Sequence, residues 1–157
     1  MYNNSSTIGN IGETVALAEF AKRGIPVLIP FGQNVPYDLV VEIDGVFYRI
    51  QCKTTAKVKD GVKMLFPICR TNGFKGTHQS YTSKEVDFIF VYCIENGYMG
   101  LIPVQDVENM KSASFVIRLS SSKNNQTKGI HMACDYEFDK QLGTFSSVGQ
   151  NARLITE

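Results

Sequence analysis

Asp38, Gln51 and Lys53 lie in one short stretch, "NVPYDLVVEIDGVFYRIQCKTT", residues 34–55. The stretch reads as two β-strands joined by Asp44-Gly45, the strongest short-range signal for a two-residue hairpin turn. Such a turn puts Ile43 opposite Val46 and fixes every later pair, so Asp38 falls opposite Gln51. Cross-strand partners share a face, with Cβ atoms about 5 Å apart. Lys53 is two residues further on and lies on that face as well. A carboxylate, an amide and an ammonium therefore meet at the open end of the hairpin. The hairpin alone leaves two readings open: a surface ion pair between Asp38 and Lys53, or a working polar site. The opposite face, Leu39, Val41, Ile43, Val46, Tyr48, Ile50 and Cys52, is apolar and belongs to a core. Glu42 and Arg49, diagonal neighbours on the polar face, read as a structural ion pair.

A helix must stand close to this hairpin. Residues 8–23, containing "IGETVALAEFAKRG", are rich in helix formers and stop at Lys22, Arg23 and Gly24. Leu17, Phe20, Ala21 and Gly24 form its expected packing stripe, and Glu13 extends that stripe toward the helix start. A glutamate on a packed side needs a partner, although a first-turn carboxylate is also favoured by the helix dipole. Gly9 and Gly12 flank Glu13 and leave room for close approach.

The remaining elements follow from apolar runs and turn residues. Strands are expected at 26–30, 61–69, 86–94, 98–104 and 114–120, with a turn at Asn96-Gly97 and a short helix at 104–110. Residues 70–84 read as a polar loop, as do 120–129, and 130–157 carries no clear periodicity. The length of 157 residues suits one domain with a real core. We expect a single domain over 1–157, with its core in 8–120 and a loop and tail in 121–157.

Here the motifs show a resemblance. A glutamate on the first helix, then "PYD" (36–38), a hairpin of this length and "QCK" (51–53) resemble the PD-(D/E)XK nuclease superfamily. "EVDFIFVYC" followed by "YMGLIPVQDV" resembles its later strands, and the Gln-x-Lys variant is similar to intron-encoded (group I) homing endonucleases of this fold. Two departures stand out. Pro36 precedes Asp38 by two positions rather than one, and Gln51 replaces an acidic ligand with a neutral amide oxygen.

The resemblance implies an α/β, restriction-endonuclease-like fold: a central mixed β-sheet flanked by helices. It implies hydrolysis of phosphodiester bonds in double-stranded DNA with Mg²⁺ or Mn²⁺. Glu13, Asp38, Gln51 and Lys53 would be the catalytic set. Asp38, Gln51, Glu13 and the backbone carbonyl of Cys52 would ligate the metal, and Lys53 would orient water and stabilise phosphate charge. A homing-type endonuclease is the first reading. A Holliday-junction resolvase-like or restriction-type nuclease is the second, and a DNA-binding module without cleavage the third.

Charge distribution fits a polyanionic partner. The net charge is only +1, yet Lys53–Lys84 holds seven basic residues against one acid, and Lys111–Gly129 four against none. Two basic segments can form one face if the fold brings them together. Candidate DNA contacts are Lys57, Lys59, Lys63, Arg70, Asn72, Lys75, His78, Gln79, Tyr81, Lys84, Lys123 and Lys128. A double-strand cut by a chain with one site implies a homo-oligomer, a dimer or tetramer. The four cysteines lack CxxC spacing and read as reduced, mostly buried thiols. With no long apolar run and no basic-then-apolar start, we expect a cytoplasmic protein without membrane contact.

Overall fold

The computed structural model of the protein describes residues 4–32, 34–71, 78–121 and 128–145. Asn72, Lys75, Lys123, the side chain of His78 and the tail from residue 146 lie outside them.

Helix α1 spans Ser5–Lys22, one turn earlier than its apolar pattern predicts. The Asn4 side chain explains the early start: it accepts the Ser6 amide at 2.9 Å, an N-cap that lets polar Ser5–Thr7 become helical. At the other end Arg23 is the C-cap and Gly24 takes φ +70°. Strand β1 is Val27–Leu28, β2 Leu39–Ile43 and β3 Val46–Thr55. Strands β4 (Lys63–Pro67), β5 (Cys69–Thr71) and β6 (His78–Ser80) follow. Next come β7 (Phe88–Cys93), β8 (Met99–Pro103), β9 (Ser114–Arg118), β10 (His131–Met132) and helix α2 (Phe138–Leu142).

The central sheet runs β1-β2-β3-β7-β8, with β3 and β7 parallel and the other neighbours antiparallel, so it is mixed as expected. Asp44 and Gly45 take φ +53° and +75°, the backbone of a two-residue hairpin turn, and Leu39 pairs with Ile50 in the expected register. One face of the sheet packs on α1 and α2 through Ala16, Phe20, Leu39, Val41, Ile50, Phe90 and Phe138. A smaller sheet, β10-β9-β4, supplies the core on the other face through Met64, Phe66, Phe115 and Ile117, packed with Ile89 and Val91 of β7. Helices therefore cover one face and strands the other.

Several local expectations are corrected. Within the residues read as loop 70–84, β5 pairs with β6 in a small two-stranded sheet, with Arg70 opposite Gln79. The helix expected at 104–110 is a single 3₁₀ turn, Val104–Asp106. Past residue 120 the chain still supplies core: Tyr136, Phe138 and Phe145 are buried. Arg49 does not pair with Glu42. The parallel β3–β7 ladder brings Asp87 beside it, and Asp87 accepts the Arg49 amide at 2.7 Å and its guanidinium at 3.0 Å. Cys52 and Cys93 are buried thiols, but Cys134 is exposed. Among the described residues no helix is long and apolar enough to cross a membrane.

The α1 stripe also differs from expectation. Gly12, Ala16 and Phe20 are buried, whereas Leu17 is 40% exposed and Ala21 and Gly24 are exposed. The reason is Gly12. A Cβ there would meet Thr54 Oγ1 at 1.8 Å, so only glycine lets the helix lie this close to β3. The rotation that puts Gly12 against β3 turns Leu17 outward. Gly12→Ala should cost about 1–3 kcal/mol by overpacking. Thr54→Ala in the same chain should recover more than half of that, because it removes the atom that is struck. Urea unfolding of the two single variants and the double variant measures the coupling; strictly additive losses would rule out the contact.

Candidate active site

Asp38 stands just before β2, and its backbone amide donates to the Ile50 carbonyl at 2.9 Å, extending the ladder by one step. Its carboxylate turns to β3. Oδ2 accepts the Cys52 backbone amide at 2.7 Å and also a hydrogen bond from Gln51 Nε2. The register thus brings Asp38 and Gln51 into direct contact. Burial pushes the Asp38 carboxyl above its ordinary range, against the Cys52 amide, Lys53 and Gln51, which pull it down. Gln51 is 9% exposed, the one polar side chain among the buried residues described. Its Nε2 also donates to the Cys52 carbonyl at 3.2 Å.

Glu13 reaches the site from α1. It is not a first-turn residue, because the helix begins at Ser5, so the dipole account does not apply. Its carboxyl is pushed up by burial and by the charge of Asp38, and pulled down by Lys53. It therefore shares one electrostatic site with Asp38 and Lys53. Glu13 itself is exposed rather than part of the packed stripe, and it follows Gly12, which lies against Thr54 of β3.

Lys53 is half-buried on the Gln51 face. Among the described residues no ion pair joins it to Asp38, so the surface-pair reading falls. Its Nζ lies 5.2 Å from the centre of the Tyr81 ring. Tyr81 was expected to touch DNA, but it is 2% exposed and part of the core under the second sheet. Arg70 is likewise engaged inside the protein: its guanidinium lies 5.2 Å from the same ring and is paired to Glu85.

Of the other candidate DNA contacts, Lys57, Lys59, Gln79, Lys84 and Lys128 are exposed. The two basic segments do meet, because β4 pairs with β9 and sets Lys63 directly opposite Arg118. Lys59 bridges back to Lys63, which lies 3.8 Å from Asp60. Like charges opposite each other on a ladder repel, so this corner favours an anion. The sequence does not single out Arg118, since only the strand pairing distinguishes it from any lysine or arginine nearby.

A family model for PD-(D/E)XK endonucleases matches residues 3–139. The chain belongs to this family. Among solved structures, the bacterial homing endonuclease I-Ssp6803I matches with a TM-score of 0.73 and 23% identity, over 95% of this chain and 99% of that one. This likeness is one of fold. No curated protein matches the chain.

PD-(D/E)XK nucleases generally use divalent metal ions, and the donor set here fits a hard cation. Among the described residues no three His, Cys, Asp or Glu side chains converge, so a cation bound here would draw on at most two carboxylates, with Asp38 and Glu13 the candidates. Neutral oxygens and water would complete its shell. The Gln51 amino group sits between Asp38 Oδ2 and the Cys52 carbonyl oxygen, two oxygens of the kind Mg²⁺ takes. Turning the carboxamide over would present a third.

The raised carboxyls predict how stability varies with pH. Asp38 and Glu13 hold protons more tightly folded than unfolded. Their contribution to stability is therefore full below the ordinary carboxylate range and is lost as pH rises through the raised folded values. In EDTA, Asp38→Asn should melt above the wild type at pH 7, with the gap closing toward pH 4. Thermal melts at the two pH values check this; an equal gap at both would show that Asp38 carries no burial penalty.

Proposed function

We propose that this endonuclease is a site-specific enzyme of the homing type, hydrolysing phosphodiester bonds in double-stranded DNA with Mg²⁺ or Mn²⁺. The observation that carries the reading is the meeting of Glu13, Asp38, Gln51 and Lys53 at one end of the β2–β3 hairpin, in a chain of this family. The overall likeness to a homing endonuclease and the Gln-x-Lys motif support the homing type.

Bound metal would supply an activated water, an electrophilic phosphorus and a stabilised leaving oxygen. Asp38, Glu13, the Gln51 amide oxygen and the Cys52 carbonyl would hold it. The Asp38 carboxylate is fixed in place by the Cys52 amide, so it would hold the cation without first having to be ordered. Lys53 carries the positive charge on the same face. Its ammonium would donate to the attacking water and to a non-bridging phosphate oxygen, stabilising the charge that builds up as the bond forms. Two strands need two such sites, and a symmetric dimer or tetramer would provide them.

Incubation with a randomised double-stranded DNA pool and Mg²⁺, followed by sequencing of the new ends, tests the reading. Ends should cluster on one long site for the wild type. Asp38→Ala and Lys53→Ala should each lower the cleavage rate by at least about 100-fold. DNA that is bound with salt dependence but left intact would reduce the protein to a binding module.

The Lys63–Arg118 corner yields a separate expectation. Replacing both with alanine should weaken DNA binding similarly across sequences. It should also lower the slope of log affinity against log salt by about 2. Affinities measured at several salt concentrations read this, and an unchanged slope would take the corner out of the DNA path.

A further inference from the structure

One neighbour of Lys53 is neither on its own strand nor among the acids around it. Nζ of Lys53 lies over the Tyr81 ring at 5.2 Å, within the range of a cation–π attraction. The ring is 2% exposed and packed in the core with Met64, Phe66, Ile68 and Val86. It therefore cannot swing away, and it offers the ammonium a fixed apolar partner with a negative face.

Around the ring, the other contacts form a chain. Arg70 lies over it at the same distance of 5.2 Å. Its guanidinium is paired to Glu85, which accepts the Thr82 amide and the Thr82 hydroxyl, each at 3.1 Å. Burial pushes the Glu85 carboxyl up, but the Arg70 and Thr82 bonds outweigh it and hold the group below its usual range. Glu85 thus offsets the Arg70 charge, leaving Lys53 as the cation at the ring that makes no ion pair among the described residues. Tyr81 and Thr82 follow directly on β6, so the ring and its clamp are held by the β5–β6 pair rather than by the strand that carries Lys53.

We propose that Tyr81 is a positioning residue for Lys53: its buried ring, clamped by Arg70 and Glu85, holds the ammonium at the face shared with Asp38 and Gln51. The proposal rests on the reading of Lys53 as the working cation. It explains why an aromatic residue in a basic segment is buried there, and why Lys53 makes no ion pair with the nearby carboxylates. A lysine drawn onto Asp38 would occupy the oxygens that the metal needs. The ring keeps it near but apart.

The test separates position from packing with two variants. Tyr81→Phe keeps both the bulk and the π face, and Tyr81→Leu keeps an apolar core residue without the face. Single-turnover cleavage would be measured on the DNA that the wild type selects. Tyr81→Leu should cut about fivefold to tenfold more slowly with DNA affinity within twofold of wild type, and Tyr81→Phe should cut at near the wild-type rate. Equal cleavage by Tyr81→Leu, or a loss lying wholly in DNA affinity, would overturn the proposal.

A second readout does not depend on cleavage. In ¹³C-lysine-labelled protein, the Lys53 ε-methylene protons, assigned through Lys53→Arg, should be shifted upfield by the Tyr81 ring. Tyr81→Phe should keep that shift and Tyr81→Leu should lose it. If the wild type cuts no DNA, the endonuclease reading fails, and this readout still decides whether Tyr81 holds Lys53. An unmoved Lys53 signal in Tyr81→Leu would refute the positioning.

Discussion

With both residues at positive φ, the Asp44–Gly45 turn twists in step with its strands and locks Ile43 against Val46. Each later pair down the ladder is then determined, until Asp38 stands level with Gln51. The register sorts the whole segment into two populations. Tyr48, Ile50 and Cys52 go to the helix-covered core, while Gln51 and Lys53 go to the other face. A slip of one residue would exchange these populations, burying Lys53 among phenylalanines and exposing the core. The site and the core are therefore specified by one constraint, and neither can drift without the other.

That constraint acts locally, whereas the site is assembled from segments distant in sequence. Glu13 comes from a helix that approaches β3 only because residue 12 has no side chain. Asp87, just before the parallel strand β7, accepts Arg49 and holds β7 in line with the hairpin. Tyr81 is the residue just after β6. Support for the polar groups thus converges from three directions on a single stretch of β3.

What the sequence revealed follows this division. The hairpin, its register and the Asp38–Gln51–Lys53 face were legible because a two-residue turn and a period of two leave little freedom. The mixed sheet followed from the motifs rather than from periodicity. Partners across long loops were not legible. Arg49 had Glu42 as its acid within the hairpin, and only the parallel β3–β7 pairing brings Asp87 to it instead. Tyr81 sat in a basic, polar stretch that reads as a surface loop, and nothing local marks its ring as buried. The polar Asn4–Thr7 run hid a helix start, because capping residues look like loop residues when the apolar stripe begins later. Arg118 became visible only once β4 was known to lie beside β9.

Cys52 lies between Gln51 and Lys53, so its side chain must point away from them, into the core. There burial drives its thiol well above its usual range and keeps it protonated. Only its backbone faces the polar groups. A thiolate in that position would recruit zinc or copper in preference to magnesium, because sulfur is the softer donor. The alternation of the strand hides the sulfur and leaves a carbonyl oxygen in its place. The same pleat that builds the core thus keeps a soft sulfur donor away from the polar face, where a hard cation would need oxygen.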